Sequence, residues 1–477
     1  MELEPVIGLE IHAQISTKTK MFCSCSNDSF GKEANTNVCP ICMAFPGMLP
    51  VVNKEAVRKG AIAALALKCT LPRHSKFDRK NYFYPDLPPG YQISQYDEPV
   101  SKEGQVEILV NGEKRVIRLV RLHLENDAGK LTHEGNNTLL DFNRAGCPLM
   151  EIVSYPDMHS PEEARIYAET VQQILRYSGS SACDMEKGMM RFDASVSLRP
   201  KGEEKLYPRA EIKNLNSFRS LEAAINYEIE RQSKLWEAGT PSATEQTVGW
   251  DDDRGTTELL REKESAADYR YFPEPDLPPI EITKEQAGEW QKQVSELPME
   301  KYERFIKEYG LSEAEARFYS ESLRLAEYFE AVAKASGNFK AAHSFIGTIL
   351  IKQLSDNNKT VDESPISPEQ MTELIKLIDS GAISNNTAKT IVFAEMFKTG
   401  KPPLTIVNEN GLSQKSDSSE IEKWCHAAME ANPQATADVK AGSAKAVGAL
   451  VGFVMKESKG QANPKMVNDI LQKLLAE

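Results

Sequence analysis

Residues 6–15 alternate strictly, with Ile7, Leu9, Ile11, Ala13 and Ile15 on one face and Gly8, Glu10, His12 and Gln14 on the other. A period of two predicts a strand buried on one side. Residues 119–127 repeat it, setting Val120, Leu122 and Leu124 against Arg121, His123, Glu125 and Asp127. Residues 191–199 do the same, with Phe192, Ala194, Val196 and Leu198 opposite Arg191, Asp193, Ser195 and Ser197. A fourth, shorter case sets Arg209, Glu211 and Lys213 against Ala210 and Ile212. Alternation this clean predicts antiparallel sheet with one packed and one open face. Helical signals interrupt the strands. Ser160-Pro-Glu-Glu163 offers an N-cap serine, a first-turn proline and a capping-box glutamate, predicting a helix to about Tyr177. Residues 218–238 read as another, stopped by Gly239. The expected fold class is therefore α+β, with a largely antiparallel sheet in a first domain over 1–295.

After Pro298 the strand pattern fades. Leu311-Ser-Glu-Ala-Glu315, residues 339–354 and Ser367-Pro-Glu-Gln370 all carry helix signals, predicting an all-α domain over 296–405. Lys401-Pro-Pro403 and the polar stretch 408–419 mark a joint, and 406–477 read as a small helical tail. The 477-residue length agrees with two or three domains. The start of the chain has no basic and apolar leader, and no apolar run approaches the roughly 20 residues that span a membrane, so a cytoplasmic protein is expected.

The polar faces of the four strands present Glu10, His12, Glu125, Asp127, Asp193 and Glu211. A wet sheet face is the ordinary reading of any one strand. Carboxylates that recur at mid-strand repel one another, and a shared divalent cation resolves the conflict. Hard oxygen donors with few imidazoles suit Mg²⁺ or Mn²⁺ and the phosphates such ions carry. Glu10, His12, Glu125, Asp193 and Glu211 are the candidate ligands of one common cation, with Glu151 behind them. The segment Phe77-Asp-Arg-Lys-Asn-Tyr-Phe-Tyr-Pro-Asp-Leu-Pro-Pro-Gly-Tyr-Gln92 adds Arg79 and Lys80 on a loop stiffened by three prolines. It reads either as a rigid surface loop or as a holder of charged groups around a ligand. Arg79, Lys80, Arg191 and Arg209 are candidate phosphate contacts. No Walker A or GxGxxG segment occurs, so a nucleotide site would have to sit on the sheet face.

Net charge is −13, which excludes wholesale wrapping of nucleic acid and leaves local patches for any RNA contact. One patch is the tail, where Lys440, Lys445, Lys456, Lys459, Lys465 and Lys473 outnumber Glu457, Asp469 and Glu477. A solvated helix face explains it equally. Four of the eight cysteines pair as Cys23-Ser-Cys25 and Cys39-Pro-Ile-Cys42. Two close pairs at this separation match a four-thiolate zinc knuckle, although the first is CxC and not CxxC. Four thiolates leave zinc no open position, so its role would be to fold the loop.

The proline-rich run resembles a signature of the B subunits of the bacterial aspartyl/glutamyl-tRNA amidotransferases. The likeness extends through Val6-Ile-Gly-Leu-Glu-Ile-His12, Cys39-Pro-Ile-Cys42, Leu124-Glu-Asn-Asp-Ala-Gly-Lys130 and Asp141-Phe-Asn-Arg-Ala-Gly146. It continues at Glu211-Ile-Lys-Asn-Leu-Asn-Ser217, Asp268-Tyr-Arg-Tyr-Phe-Pro-Glu-Pro275 and Ala462-Asn-Pro464. Phe192 and Ser195 stand where many relatives carry cysteine and asparagine. The resemblance implies a kinase-like site in which the side-chain carboxylate of a misacylated Glu or Asp takes the γ-phosphate of ATP. Ammonia then displaces the phosphate, giving Gln-tRNA(Gln) or Asn-tRNA(Asn). For such a reaction Lys80 and Arg79 are the candidate phosphate holders, and Arg144 or Lys213 the candidate supports of the substrate carboxylate or oxyanion. The resemblance also implies a glutaminase A subunit that channels ammonia, a small C subunit, and misacylated tRNA bound by the helical and tail domains. The alternatives are a non-catalytic tRNA-binding scaffold in such a complex, and a zinc-bearing synthetase, for which no HIGH or KMSKS segment is present.

Overall fold

Strand β1 (Leu3–Gln14) lies inside an eight-stranded sheet. The computed structural model describes residues 2–263, 269–413, 418–440, 446–458 and 462–476. The other strands are β2 (Gly104–Val110), β3 (Glu113–Asn126), β4 (Pro148–Ser154), β5 (Met190–Pro200), β6 (Ala210–Leu215), β7 (Glu245–Asp251) and β8 (Thr256–Lys263). Their order is β8-β7-β6-β5-β1-β4-β3-β2. Neighbours run antiparallel except β6 and β7, which are parallel. All four alternating runs thus belong to one sheet, as their shared pattern requires.

Strand β4 separates β1 from β3, and alternation does not reveal it. Pro148, Leu149, Met150, Glu151 and Ile152 are all buried, so a period of two has no wet side on which to appear. On the packed face of the sheet lie α1 (Lys54–Ala66), α2 (Pro161–Tyr177) and α3 (Phe218–Glu237), sharing one apolar core with Ile7, Leu9, Ile11, Leu122, Leu124, Phe192, Ala194 and Val196. Ser160 caps α2 by accepting from the Glu163 N–H at 3.1 Å. Glu163 does not complete a capping box: its carboxylate takes the His159 N–H at 2.6 Å instead of that of Ser160. Helix α3 ends as expected, with Gly239 in the left-handed region at φ 73°.

The proline-rich loop is bracketed by two short paired segments, Asp78–Asn81 and Tyr91–Ser94, with Phe272–Pro273 on the outer side of the first. Asn126, at the end of β3, fastens this small sheet. Its Oδ1 accepts from the Ile93 N–H at 2.9 Å, and its carbonyl accepts from the Gln92 amide at 2.9 Å.

The chain divides into two units, Met1–Lys301 and Tyr302–Glu477. The second is helical. One apolar cluster within it runs from Phe305 to Val407, and a separate one gathers Ile421, Cys425, Ala428, Leu450, Val454 and Leu471. Ser312 with Glu315 and Ser367 with Gln370 form the predicted capping boxes. The helix expected over 339–354 runs unbroken from Phe339 to Asp356, with its middle, Ser344–Leu350, wound as a wider π-turn. Within the π-turn Gly347 lies so near Tyr319 that an added Cβ would stand 2.8 Å from its hydroxyl. Residues 414–417 of the polar joint lie outside the described residues, as do Asp268, Lys445, Lys459 and Glu477 and the side chains of Lys440 and Lys465. Lys456 and Lys473 are exposed. Among the described residues no helix is long and apolar enough to cross a membrane.

Candidate active site

The register of the sheet lines up one polar row across four strands. His12 of β1 faces Arg191 of β5 and Glu151 of β4, and Glu151 in turn faces His123 of β3. His12 Nε2 stands 3.3 Å from Glu151 and 3.7 Å from Glu125, and His123 Nε2 stands 3.3 Å and 3.7 Å from the same two carboxylates. Two residues along β1, Glu10 faces Asp193. A bulge between β5 and β6 brings Glu211 and Lys213 alongside. There the Lys213 ammonium bridges Asp193 at 2.8 Å and Glu211 at 2.7 Å.

The five ligands expected around one cation fall into two neighbouring groups. His12, Glu125 and Glu151 form one, and Glu10, Asp193 and Glu211 the other, with the donor atoms of each within 4.8 Å of one another. The reason is spacing. Alternate residues of a strand share a face but stand about 6.6 Å apart, so Glu10 and His12 reach different partners. Glu151, the weakest sequence candidate, is central to the first group.

Electrostatics show how crowded the face is. Burial works against the His12 imidazolium, but Glu151 and Glu125 outweigh it and raise its pKa. His123 is likewise opposed by burial and lifted by Glu151 and Glu125, to about 9. Glu151 is held well below the usual carboxylate range, the two histidines overcoming its desolvation. Glu10 has less relief: burial and the charges of Glu151 and Asp193 raise it, outweighing His12. These buried oxygens and imidazoles fit a hard divalent cation, and the His12/Glu125/Glu151 group fits it better because Lys213 already serves the other.

The loop cations part company. Consecutive residues of a strand point to opposite sides, and Lys80 goes to the site while Arg79 leaves it. Lys80 lies over Tyr82 and Tyr269 at 5.8 and 5.0 Å, and although burial opposes its charge, Glu125 and Glu151 raise its pKa. Arg79 makes two bonds to the fully buried Glu274, at 2.7 and 2.8 Å, and stacks on Tyr91. Its guanidinium is thus paired with Glu274, on the side of the strand away from Lys80. Arg144 and Arg191 clasp the buried Asp127 at 3.3 and 3.1 Å. Arg209 stands 3.6 Å from Glu245, on the rim of a cavity of about 200 Å³ that Glu10, Gly8, Ser195 and Tyr207 also line.

Reasoning from sequence missed His123 and undervalued Glu151 and Asp127. The signal for Glu151 was present: it is the only charge in the apolar run Pro148-Leu-Met-Glu-Ile-Val153. A lone carboxylate in a strand buried on both faces is costly unless something holds it.

The four knuckle cysteines converge, with Cys23, Cys25, Cys39 and Cys42 sulfurs within 4.8 Å of one another. Hydrogen bonding from Cys23, helped by the Cys39 N–H and Lys20, lowers the Cys42 pKa to about 5. Four converging sulfurs are a donor set compatible with a metal ion such as zinc.

Two family models match the chain, one described as the GatB/GatE catalytic domain over residues 5–288 and one as a GatB domain over 327–475. The chain is 50% identical to the B subunit of the aspartyl/glutamyl-tRNA(Asn/Gln) amidotransferase of Persephonella marina, over all of both chains. It is 48% identical to the corresponding B subunits of Carboxydothermus hydrogenoformans and Thermotoga maritima, covering all of this chain and 99% of each relative. With a catalytic-domain match across more than half its length and near-half identity end to end, this chain belongs to the family of aspartyl/glutamyl-tRNA(Asn/Gln) amidotransferase B subunits.

Proposed function

We propose that this chain is the ATP-using subunit of a tRNA-dependent amidotransferase, acting on Glu-tRNA(Gln), Asp-tRNA(Asn) or both. The side-chain carboxylate of the misacylated residue attacks the γ-phosphorus of ATP, ADP leaves, and an acyl phosphate forms. Ammonia then attacks the activated carbonyl and phosphate departs. A glutaminase A subunit supplies the ammonia, and a small C subunit completes the complex.

No covalent protein nucleophile is needed, because phosphoryl transfer depends on positioning and charge. The observation that carries this reading is the polar row Arg191–His12–Glu151–His123, with Lys80 near Glu125 and Glu151 and with Lys213 on the neighbouring Asp193 and Glu211. His12, Glu125 and Glu151 would hold a divalent cation, which would supply charge neutralisation for phosphate oxygens. Lys80 is placed to meet phosphate, and Lys213 to exchange an Asp193 or Glu211 contact for the incoming carboxylate. Asp127 fixes Arg144 and Arg191 so that their remaining N–H groups orient the acyl end. The cavity beside Glu10 suits the nucleoside of ATP, its small Gly8, Ser195 and Ser197 leaving room for a ring. The exposed tail lysines Lys456 and Lys473 meet tRNA phosphates.

The test is amidation of both charged tRNAs by the purified complex, with and without ATP. Glu125→Ala should abolish ATP-dependent product and metal-dependent ATP hydrolysis together. Hydrolysis that survives the substitution would leave only a tRNA-binding scaffold.

A further inference from the structure

Lys20 is a cation without an obvious anion. Its side chain is fully buried, and among the described residues its ammonium meets no carboxylate. Nζ donates to the Asn37 carbonyl at 2.9 Å and points at Cys42 Sγ at 3.7 Å. A lysine removed from water needs compensating charge, and among the described residues the chargeable group its ammonium points at is the Cys42 sulfur. Four thiolates around zinc carry a net charge of about −2, which one ammonium halves.

Asn37 passes the contact onward. Its backbone N–H donates to Asn143 Oδ1 at 2.7 Å, and its side-chain amide to the Asn143 carbonyl at 3.3 Å. Asn143 is buried and also donates to the Glu33 carbonyl at 2.7 Å. The next residue is Arg144, which donates to the Ala128 and Gly129 carbonyls and reaches Asp127. A second route leaves from the residue after Lys20. The Met21 N–H donates to the Gly146 carbonyl, and the Gly146 N–H to the Asp127 carbonyl, each at 2.8 Å.

We propose that Lys20 is a positioning residue: it ties the four-cysteine cluster to the Asn37–Asn143 pair and thereby sets Arg144 against Asp127 on the sheet face. The cluster then organises one edge of the candidate active site as well as its own loop. The significance for catalysis rests on the function proposed above, but the coupling itself does not.

The test uses the full chain loaded with zinc. Lys20→Met should lose zinc to a chelator about tenfold faster than the unaltered chain, within the range for second-layer partners of a metal, and Lys20→Arg should restore part of the difference. Amide hydrogen exchange over residues 141–147 should rise about tenfold when zinc is removed from the unaltered chain. It should already be raised in Lys20→Met with zinc bound. Zinc loss from Lys20→Met at the unaltered rate overturns the proposal, as does exchange over 141–147 that ignores zinc removal. If Lys20→Met does not fold, the chelation arm on the unaltered chain decides alone. Exchange that responds while amidation does not would sink the active-site reading and leave the coupling standing.

Discussion

Arg79 and Lys80 are neighbours in the chain with opposite duties, and substitution should separate them. Removing Arg79 strands the Glu274 carboxylate, whose side chain is fully buried. Arg79→Ala should therefore cost about 3–5 kcal/mol of stability, read as a lower unfolding midpoint, while the KM for ATP in the folded fraction stays near normal. Lys80→Met should behave in the reverse sense, sparing the midpoint and lowering kcat about 100-fold or more. Glu151→Gln keeps the shape but loses the charge that both histidines face. Amidation should fall about 100-fold with it, in single-turnover assays on charged tRNA. Arg79 and Lys80 part because they are neighbours on a short strand, Asp78–Asn81, which the proline-rich sequence does not announce. Which of the two faced the carboxylates was not legible either, because that depends on how the small sheet docks onto β3.

At the scale of elements, alternation revealed the four strands that carry Glu10, His12, Glu125, Asp193 and Glu211. It could not reveal β4, which is buried on both faces, and so it left the gap between β1 and β3 empty. Insertion of β4 is what seats Glu151 between the two histidines. The packing behind this row is tight. An added Cβ at Gly60 of α1 would come within 2.5 Å of the Leu124 Cδ2, one residue before Glu125. Gly60→Ala should gain helix propensity yet destabilise the chain by about 1–3 kcal/mol through overpacking, measurable by denaturant unfolding. Should the variant prove more stable, Leu124 has room that this packing denies. Cap signals placed α2 and the helices after Ser312 and Ser367 well, because a cap is a local hydrogen bond. The π-turn at Ser344–Leu350 had no such local mark; it accompanies the close approach of Gly347 to Tyr319.

For the whole molecule, the two units have their own apolar cores. A fragment of residues 1–297 should fold, keep zinc and bind ATP with its divalent ion, and yet fail to amidate charged tRNA. Calorimetric ATP binding with no product in the tRNA assay would agree with this. Amidation at the full-length rate would remove tRNA binding from the helical unit and its tail.

Spacing along the chain was enough to give the class of fold, the starts of the capped helices, the paired cysteines and most of the side chains on the polar face of the sheet. A period of two or a cap three residues away is a local matter. Only the tertiary structure decided how those side chains grouped. Cross-strand register sent Glu10 to Asp193 and His12 to Glu151, and the buried β4 supplied the missing carboxylate. Docking of a short sheet turned Lys80 inward and Arg79 away. Such choices are made between residues tens to nearly two hundred positions apart, where no pattern along the chain records which partner lies across.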